Sequence, residues 1–465
     1  MGAETREGLD PKLVRQMLAV GLGIVPVVFD TTIVNIAMHT LARSLGASLS
    51  AIQWVTSGYL LSLAMSIPLS AWLSDRFGGR RAWLWALGLF LAGSAGCGAA
   101  WDLPSLVAFR VIQGVGGGVL LPVMMTLFAR SVAGRGSMGS ISAFLMLPAV
   151  IGPMLGPVLC GIILAFLSWR WIFWVNALPC LLSLVLSWRS LPREIGSGAA
   201  QAPFDLVGFL LVSPGIAALL FGLSRIAHGG AGAAALPWVA AGTLLVGTFA
   251  LWALRERAPL VDVRLLGISS LRDSLALLGL SSLANYGALF LLPLYFQEAR
   301  GETALHAGFL LVAQGAGSLL SRGMAGKLTD RLGPRPVVLA GFLVMLIGTL
   351  PLIAITKTTC VPLIVLTLVV RGFGTGAVVI PLMASSYRDL QSAQVSHASV
   401  LVRIAMQLGG AFGTAALAVI LHFGLHASAG SAYAQGFAWC AGFAALAVLW
   451  TLRLPAGRIQ VLAET

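Results

Sequence analysis

Long apolar runs separated by short polar stretches recur along the whole chain. Read as spans, they fall at 16–38, 51–73, 82–100, 104–129, 138–166, 171–188, 207–225, 236–254, 274–297, 305–325, 336–355, 361–386, 395–421 and 434–453. Most reach the roughly 20 residues an α-helix needs to cross a hydrocarbon core about 30 Å thick. None shows the period-two alternation of a barrel strand, and a backbone in lipid must satisfy its own hydrogen bonds. The pattern therefore predicts an all-α polytopic membrane protein with fourteen transmembrane helices.

The polar stretches set its orientation. Lys12, Arg15, Arg76, Arg80, Arg81, Arg130, Arg135, Arg255, Arg257, Arg331 and Arg335 all fall in alternate loops, on one side. Loops rich in Lys and Arg stay in the cytoplasm, so the N-terminus is expected there. An even number of spans returns the C-terminus to the same side. The expected organisation is a cytoplasmic N-terminus (1–15), a six-helix bundle (16–188), a linker (189–273) holding an additional helix pair (207–225 and 236–254), a second six-helix bundle (274–453) and a cytoplasmic tail (454–465).

The two bundles carry matching signals. Asp75-Arg76-Phe77-Gly78-Gly79-Arg80 ends one span, and Asp330-Arg331-Leu332-Gly333-Pro334-Arg335 ends its counterpart. Arg110 precedes Gly114, Gly116 and Pro122; Arg371 precedes Gly372, Gly374, Gly376 and Pro381. Transporters built from such an internal repeat hold their substrate at the interface of the halves, near the midplane.

Composition narrows the classes further. The chain is 58% hydrophobic and 10% charged, against roughly 25% charged in soluble domains, so it cannot cover a water-facing surface. Its net charge of +13 is spread over short loops rather than gathered on one stripe, which argues against a nucleic-acid partner. The cysteines Cys97, Cys160, Cys180, Cys360 and Cys440 form no CxxC or Cys/His cluster. Neither disulfides nor a metal site is expected, and no cofactor. The first apolar run is too long for the core of a cleavable signal and is read as a retained anchor.

Ionisable groups in the bilayer are costly and mark function by default. Asp30 is the one acid well inside a span, about 12 Å from the outer end of its helix at 1.5 Å per residue. Arg110 lies at a similar depth in the fourth span. Burial favours the neutral form of a carboxyl group and a neighbouring guanidinium favours the charged one, whereas arginine stays charged. Such a pair is either a proton switch or a fixed ion pair that orients two helices. Arg371 is expected to line the second half of a cavity, and Arg403, nearer the cytoplasmic end, to pack or snorkel. Asn35, Trp54, Tyr59, Gln113, Asn285, Tyr286, Gln314 and Gln407 are polar or aromatic positions for a substrate cavity, or for ordinary helix-to-helix bonding. Met146, with Met124 and Met125, suits an adaptable apolar wall or plain core. Asp75, Arg76, Gly78, Arg80 and Arg81, with Asp330, Arg331 and Gly333, form a candidate conformational latch. There Asp75 either caps a neighbouring helix start or pairs with Arg76, Arg80 or Arg81. Gly152, Gly156, Pro157 and Gly161 in the fifth span allow close helix approach and a bend.

Taken together, these residues resemble the major facilitator superfamily, and within it the 14-helix drug:proton antiporter family. Asp30-Thr31-Thr32-Ile33-Val34-Asn35-Ile36-Ala37 is similar to that family's first-helix motif. The stretch from Trp54 through Tyr59 to Asp75–Arg81 resembles its second helix and loop motif. Arg110-Val111-Ile112-Gln113-Gly114 is similar to its proton-coupling motif, Gly152–Gly161 to its antiporter motif, and Trp169–Phe173 with Asn176 and Pro179 to its sixth-helix entrance. Ala71, His39 and Cys160 depart from the usual glycine, proline and glycine. The resemblance implies that Asp30 takes the proton, Arg110 tunes it and Asp75 belongs to the latch. It implies a cytoplasmic (inner) membrane transporter, not an enzyme, that exchanges protons for small amphipathic organic compounds in multidrug efflux by alternating access. Its partners would be substrate, protons and membrane lipid, joined in a Gram-negative host by a periplasmic adaptor and an outer-membrane channel. An exporter of one lipid, siderophore or metabolite has the same signature. No Walker loop or catalytic cluster supports an ATP-driven pump or a membrane-embedded enzyme, and the repeat with its buried charges argues against a non-transporting receptor.

Overall fold

Wherever an apolar run meets no breaker, the backbone stays helical, and the breakers explain the boundaries. A computed structural model describes residues 11–132, 159–192, 203–227, 232–356, 358–425 and 429–454. Its helices are α1 (Pro11–Leu45), α2 (Leu49–Ser66), α3 (Leu69–Phe77), α4 (Gly79–Ala99), α5 (Leu103–Val132), α6 (159–166), α7 (Trp171–Trp174), α8 (Ala177–Ser190), α9 (Leu206–Ala227), α10 (Gly232–Arg255), α11 (Ser269–Leu294), α12 (Ala304–Leu332), α13 (Pro334–Ile353), α14 (Val361–Ser386), α15 (Val395–Leu425) and α16 (Ala429–Thr451). No strand occurs among the described residues, and ten helices there are long and apolar enough to cross a membrane.

Two expected spans are each broken in two. The run 51–73 divides between α2 and α3 at Pro68, which lacks the N–H that would continue the ladder. The run 171–188 divides between α7 and α8 at Asn176, whose side chain instead donates to Ser94 Oγ at 3.0 Å. A π-helical turn, Tyr295–Ala299, follows Pro293 at the end of α11. Of the expected span 138–166, the part up to 158 lies outside the described residues.

The internal repeat is visible in the backbone. The positive-φ glycines Gly46 and Gly78 (61° and 85°) are answered by Gly301 and Gly333 (74° and 85°) at one sequence interval. The same interval relates the N-caps Ser48 and Thr303, which accept from Ala51 N and His306 N at 3.2 Å each. A β-carbon would strain either loop, so the sharp turn after Asp75 and Asp330 depends on glycine.

Among the described residues the apolar core is continuous at one end of the molecule and split at the other. One cluster joins Leu63, Trp83 and Met124 to Leu278, Phe342 and Val402. Toward the other end, Ile33, Val55, Cys97 and Phe173 form one cluster, while Leu291, Phe296, Leu352 and Phe437 form another. The helix α9 packs against both α2 and α15, and α10 packs mainly on α9. Asp205 ties this pair together: it accepts from Gly208 N at 2.7 Å, Trp252 Nε1 at 3.2 Å and Leu260 N at 3.0 Å.

Candidate functional site

Asp30 on α1, Tyr59 on α2, and Arg110 and Gln113 on α5 close around one another, all with no exposed surface. Arg110 Nη1 is ion-paired with Asp30 Oδ2. It also donates to Gln113 Oε1 at 2.8 Å, while Nε donates to the Val55 carbonyl at 3.0 Å. Gln113 Nε2 completes the ring by donating to Asp30 Oδ1 at 3.2 Å. The Tyr59 ring lies 4.0 Å from Arg110 Cζ, a cation–π contact in a dry setting, with the Phe173 ring 5.8 Å away. Small residues on α5 make this closeness possible. A β-carbon on Gly114 would strike Ser62 and the Tyr59 carbonyl, pushing α2 away from the cluster. Both carboxylate oxygens are engaged and the unit is neutral overall. Removing either partner of such a buried pair costs about 3–5 kcal/mol, because the survivor is left unpaired.

The counterpart region has the same frame and different chemistry. A β-carbon on Gly93 would strike the backbone of Gln113, and one on Gly348 the backbone of Arg371. Likewise Gly114 abuts Tyr59 and Gly372 abuts Gln314. Arg371 therefore corresponds to Gln113, not to Arg110; the equivalent of Arg110 is Leu368. The sequence interval of the loop glycines carries Asp30 to Asn285, and the π turn Tyr295–Ala299 shifts the facing toward Ala284. Neither is an acid. Arg371 is fully buried and donates from Nη2 to the Ala284 carbonyl at 3.0 Å. Its Nε and Nη1 find no hydrogen-bond partner among the described residues. Gln314 donates to Asn285 Oδ1 at 3.3 Å, and its own Oε1 is buried without a partner among the described residues.

The other expected cavity residues separate. Trp54 is half exposed and stacks on Phe221 of α9, with centroids 6.1 Å apart, so it meets the additional pair. Tyr59 and Gln113 belong to the buried ion-pair cluster. Tyr286 is 48% exposed and lies against Gly410 of α15, where Gln407 and Arg403 share the same face at helical spacing and are half-buried. Arg403 Nε is buried without a hydrogen-bond partner among the described residues. Met146, Gly152, Gly156, Pro157 and the side chain of Asn35 lie outside the described residues. Gly161 is exposed, with open space where a side chain would be.

At the end where the core is continuous, Asp75 on α3 reaches the start of α15. Ser396 Oγ lies 2.8 and 2.9 Å from its two oxygens, and His397 Nε2 lies 3.4 Å from Oδ2. His397 Nδ1 accepts from the backbone N–H of Asp262 at 3.3 Å, which leaves the ring proton on Nε2, facing Asp75. Arg80 points elsewhere: it donates to the Trp188 carbonyl and lies over that ring at 5.1 Å. Arg76, Arg81 and Arg331 are exposed, and Asp330 is half-buried. Sequence reasoning offered a helix start as one partner for Asp75 but missed Ser396 and His397. Two polar residues opening an apolar span were the available signal. No group of metal-ligating residues occurs among the described residues.

Comparison with known proteins identifies the family. The Major Facilitator Superfamily profile covers residues 20–414, and again 275–463. A "Multidrug resistance protein B homolog" of Mycobacterium tuberculosis is 33% identical over 420 residues, spanning 89% of this chain and 77% of that protein. A "Putative multidrug resistance protein MdtD" of Salmonella typhimurium is 30% identical over 427 residues, 89% of each. Among solved structures, the proton:xylose symporter XylE aligns over 96% of both chains with a TM-score of 0.67 at 17% identity. A human organic anion transporter aligns over 95% of this chain and all of its own with a TM-score of 0.64 at 16% identity. At such identities the likeness is one of fold.

Proposed function

This chain belongs to the major facilitator superfamily of transporters, and on that premise we propose that it exports small organic compounds in exchange for protons, with Asp30 as the proton carrier. The observation that carries the reading is the cluster of Asp30, Arg110, Gln113 and Tyr59. It holds the one acid that the sequence places well within a span, sealed from water and bound by a permanent cation. Rearrangement of α1 against α5 would withdraw the guanidinium, leave the carboxyl group desolvated and favour proton uptake. Proton affinity would thus follow conformation, which is the requirement for coupling two fluxes through one carrier. Two relatives at 30–33% identity bear multidrug resistance names, which supports compounds of varied structure as the exported class.

The chain would cross the cytoplasmic membrane fourteen times with both ends in the cytoplasm, as two six-helix halves with the 207–254 pair added between them. Asp75, Ser396 and His397 would then close the cytoplasmic side, where the core is continuous, and the split at the other end would open the central cavity outward. Asp75 would close it with an acid at a helix N-terminus, where the dipole favours negative charge. Gradient-driven transport of a tracer into inverted vesicles tests the reading. Asp30→Asn is expected to abolish gradient-driven uptake while preserving binding. Normal coupled transport by the folded variant would contradict the assigned role.

A further inference from the structure

The charges of the interior do not balance. Arg110 is neutralised by Asp30, but Arg371 and Arg403 have no acid within reach of the contacts described. The acids outside the described residues can be located by sequence alone. They are Glu4, Glu7, Asp10, Glu194 and Glu464, all outside the apolar runs. Asp273 sits near the start of α11 and Glu298 in the π turn that follows it, and they are engaged there by Arg272 at 3.3 Å and by Tyr433 at 2.9 Å. A cation in the bilayer that keeps its charge without a partner is costly and marks a site.

Of the two arginines, Arg403 is placed to meet a ligand. It is half-buried rather than sealed, and lies two turns into α15 on the stripe that continues through Gln407 to Gly410. Tyr286 of α11 lies against that stripe, half exposed. From the other side of the molecule, the buried Tyr59 lies within electrostatic range of Arg403, as it does of Asp30 and Arg110. The helix α15 itself packs against α3 and α5 of that half. Arg403 does not snorkel with a fully solvated head: its Nε is buried and has no hydrogen-bond partner among the described residues.

We propose that Arg403, with Gln407 and Tyr286, forms the recognition site for the anionic group of an amphipathic substrate, a carboxylate or sulfonate carried on an apolar ring system. Guanidinium and carboxylate geometries match, with two parallel N–H donors to two oxygens. Gln407 adds an amide donor one turn away and Tyr286 a ring face and a hydroxyl. A cationic compound has no comparable partner, because both oxygens of Asp30 are already taken by Arg110 and Gln113. This inference rests on the exporter reading for its biological meaning, but the site itself is tested without a gradient.

Fluorescein and rhodamine 6G share a xanthene ring and carry opposite charge. Their equilibrium binding to the full chain in lipid nanodiscs, followed by anisotropy with no pH gradient, gives the readout. Wild-type protein is expected to bind fluorescein at least about tenfold more tightly than rhodamine 6G, the strength of a charge-assisted hydrogen bond. Arg403→Gln removes that preference, and Arg403→Lys retains part of it. If Arg403→Gln does not fold, Gln407→Leu, which leaves every charge in place, is expected to weaken fluorescein alone by about threefold. Equal or tighter binding of rhodamine 6G by the wild type overturns the proposal, as does an unchanged preference in folded Arg403→Gln. Selective fluorescein binding without gradient-driven transport leaves the site standing and removes proton coupling instead.

Discussion

Arg110 and Arg371 occupy the interior of α5 and α14, on frames that repeat one another glycine for glycine. Around Arg110 an acid, an amide and a carbonyl meet the guanidinium, and a phenol ring covers it. Around Arg371 one carbonyl is bonded and two donors are left over. The backbone was duplicated while the charge pattern was not. A repeat thus fixes where helices touch, because small residues permit close approach, and leaves the chemistry at each contact free to diverge. On the proposed reading, one copy couples to protons and the other contributes to the rest of the transport path.

The largest expected effect breaks the comparison outright. Asp30→Asn is expected to bring gradient-driven transport to background in reconstituted vesicles, whereas Asn285→Ala leaves the coupling intact. Adding Asn285→Asp to Asp30→Asn places an acid near Arg371 but not near Arg110, and is expected not to restore coupling.

Stability sharpens the same contrast. Arg110→Ala strands a buried carboxylate and is expected to cost about 3–5 kcal/mol, whereas Arg371→Met removes an uncompensated guanidinium and is expected to be neutral or stabilising. Thermal unfolding of the two variants in detergent measures the difference. Equal destabilisation would show that Arg371 has a counter-charge after all.

A smaller effect belongs to the other end of the molecule. Asp75→Ala removes the acceptor of Ser396 and His397. It is expected to raise the labelling rate of a cysteine introduced at Leu401, which α15 holds against the core, by several-fold. His397→Ala is expected to do so by less, since Ser396 still holds Asp75. Ser396→Ala loses hydrogen bonds to a charged group, an effect of about 1.5–3 kcal/mol at most on closure.

The sequence revealed depth and rarity but not facing. Asp30 and Arg110 were legible because a lone charge in an apolar run stands out, and their matching depths allowed the contact now seen. Gln113 and Tyr59 stood out as polar, for a cavity or for helix-to-helix bonding; the fold turns both inward against the pair. Trp54, five residues before Tyr59, faces the additional helix instead. Periodicity could not separate them, since a helix surrounded by lipid and protein is apolar on every side. Arg110 and Arg371 were aligned by their charge, but the glycine contacts set the register three residues differently. The partners of Asp75 come from a distant part of the chain, and two polar residues opening an apolar span did not by themselves say what they would meet. The break at Pro68 was written in the sequence but hidden within a continuous apolar run.

Infrared difference spectroscopy of the purified protein in lipid tests the central claim most directly, since a protonated carboxyl group in a dry site has its own C=O stretching band. Acidification of the wild type is expected to produce such a band, and Asp30→Asn to remove it while Asn285→Ala leaves it in place. A protonation band that survives Asp30→Asn unchanged would contradict the account, because the proton would then reside on another group.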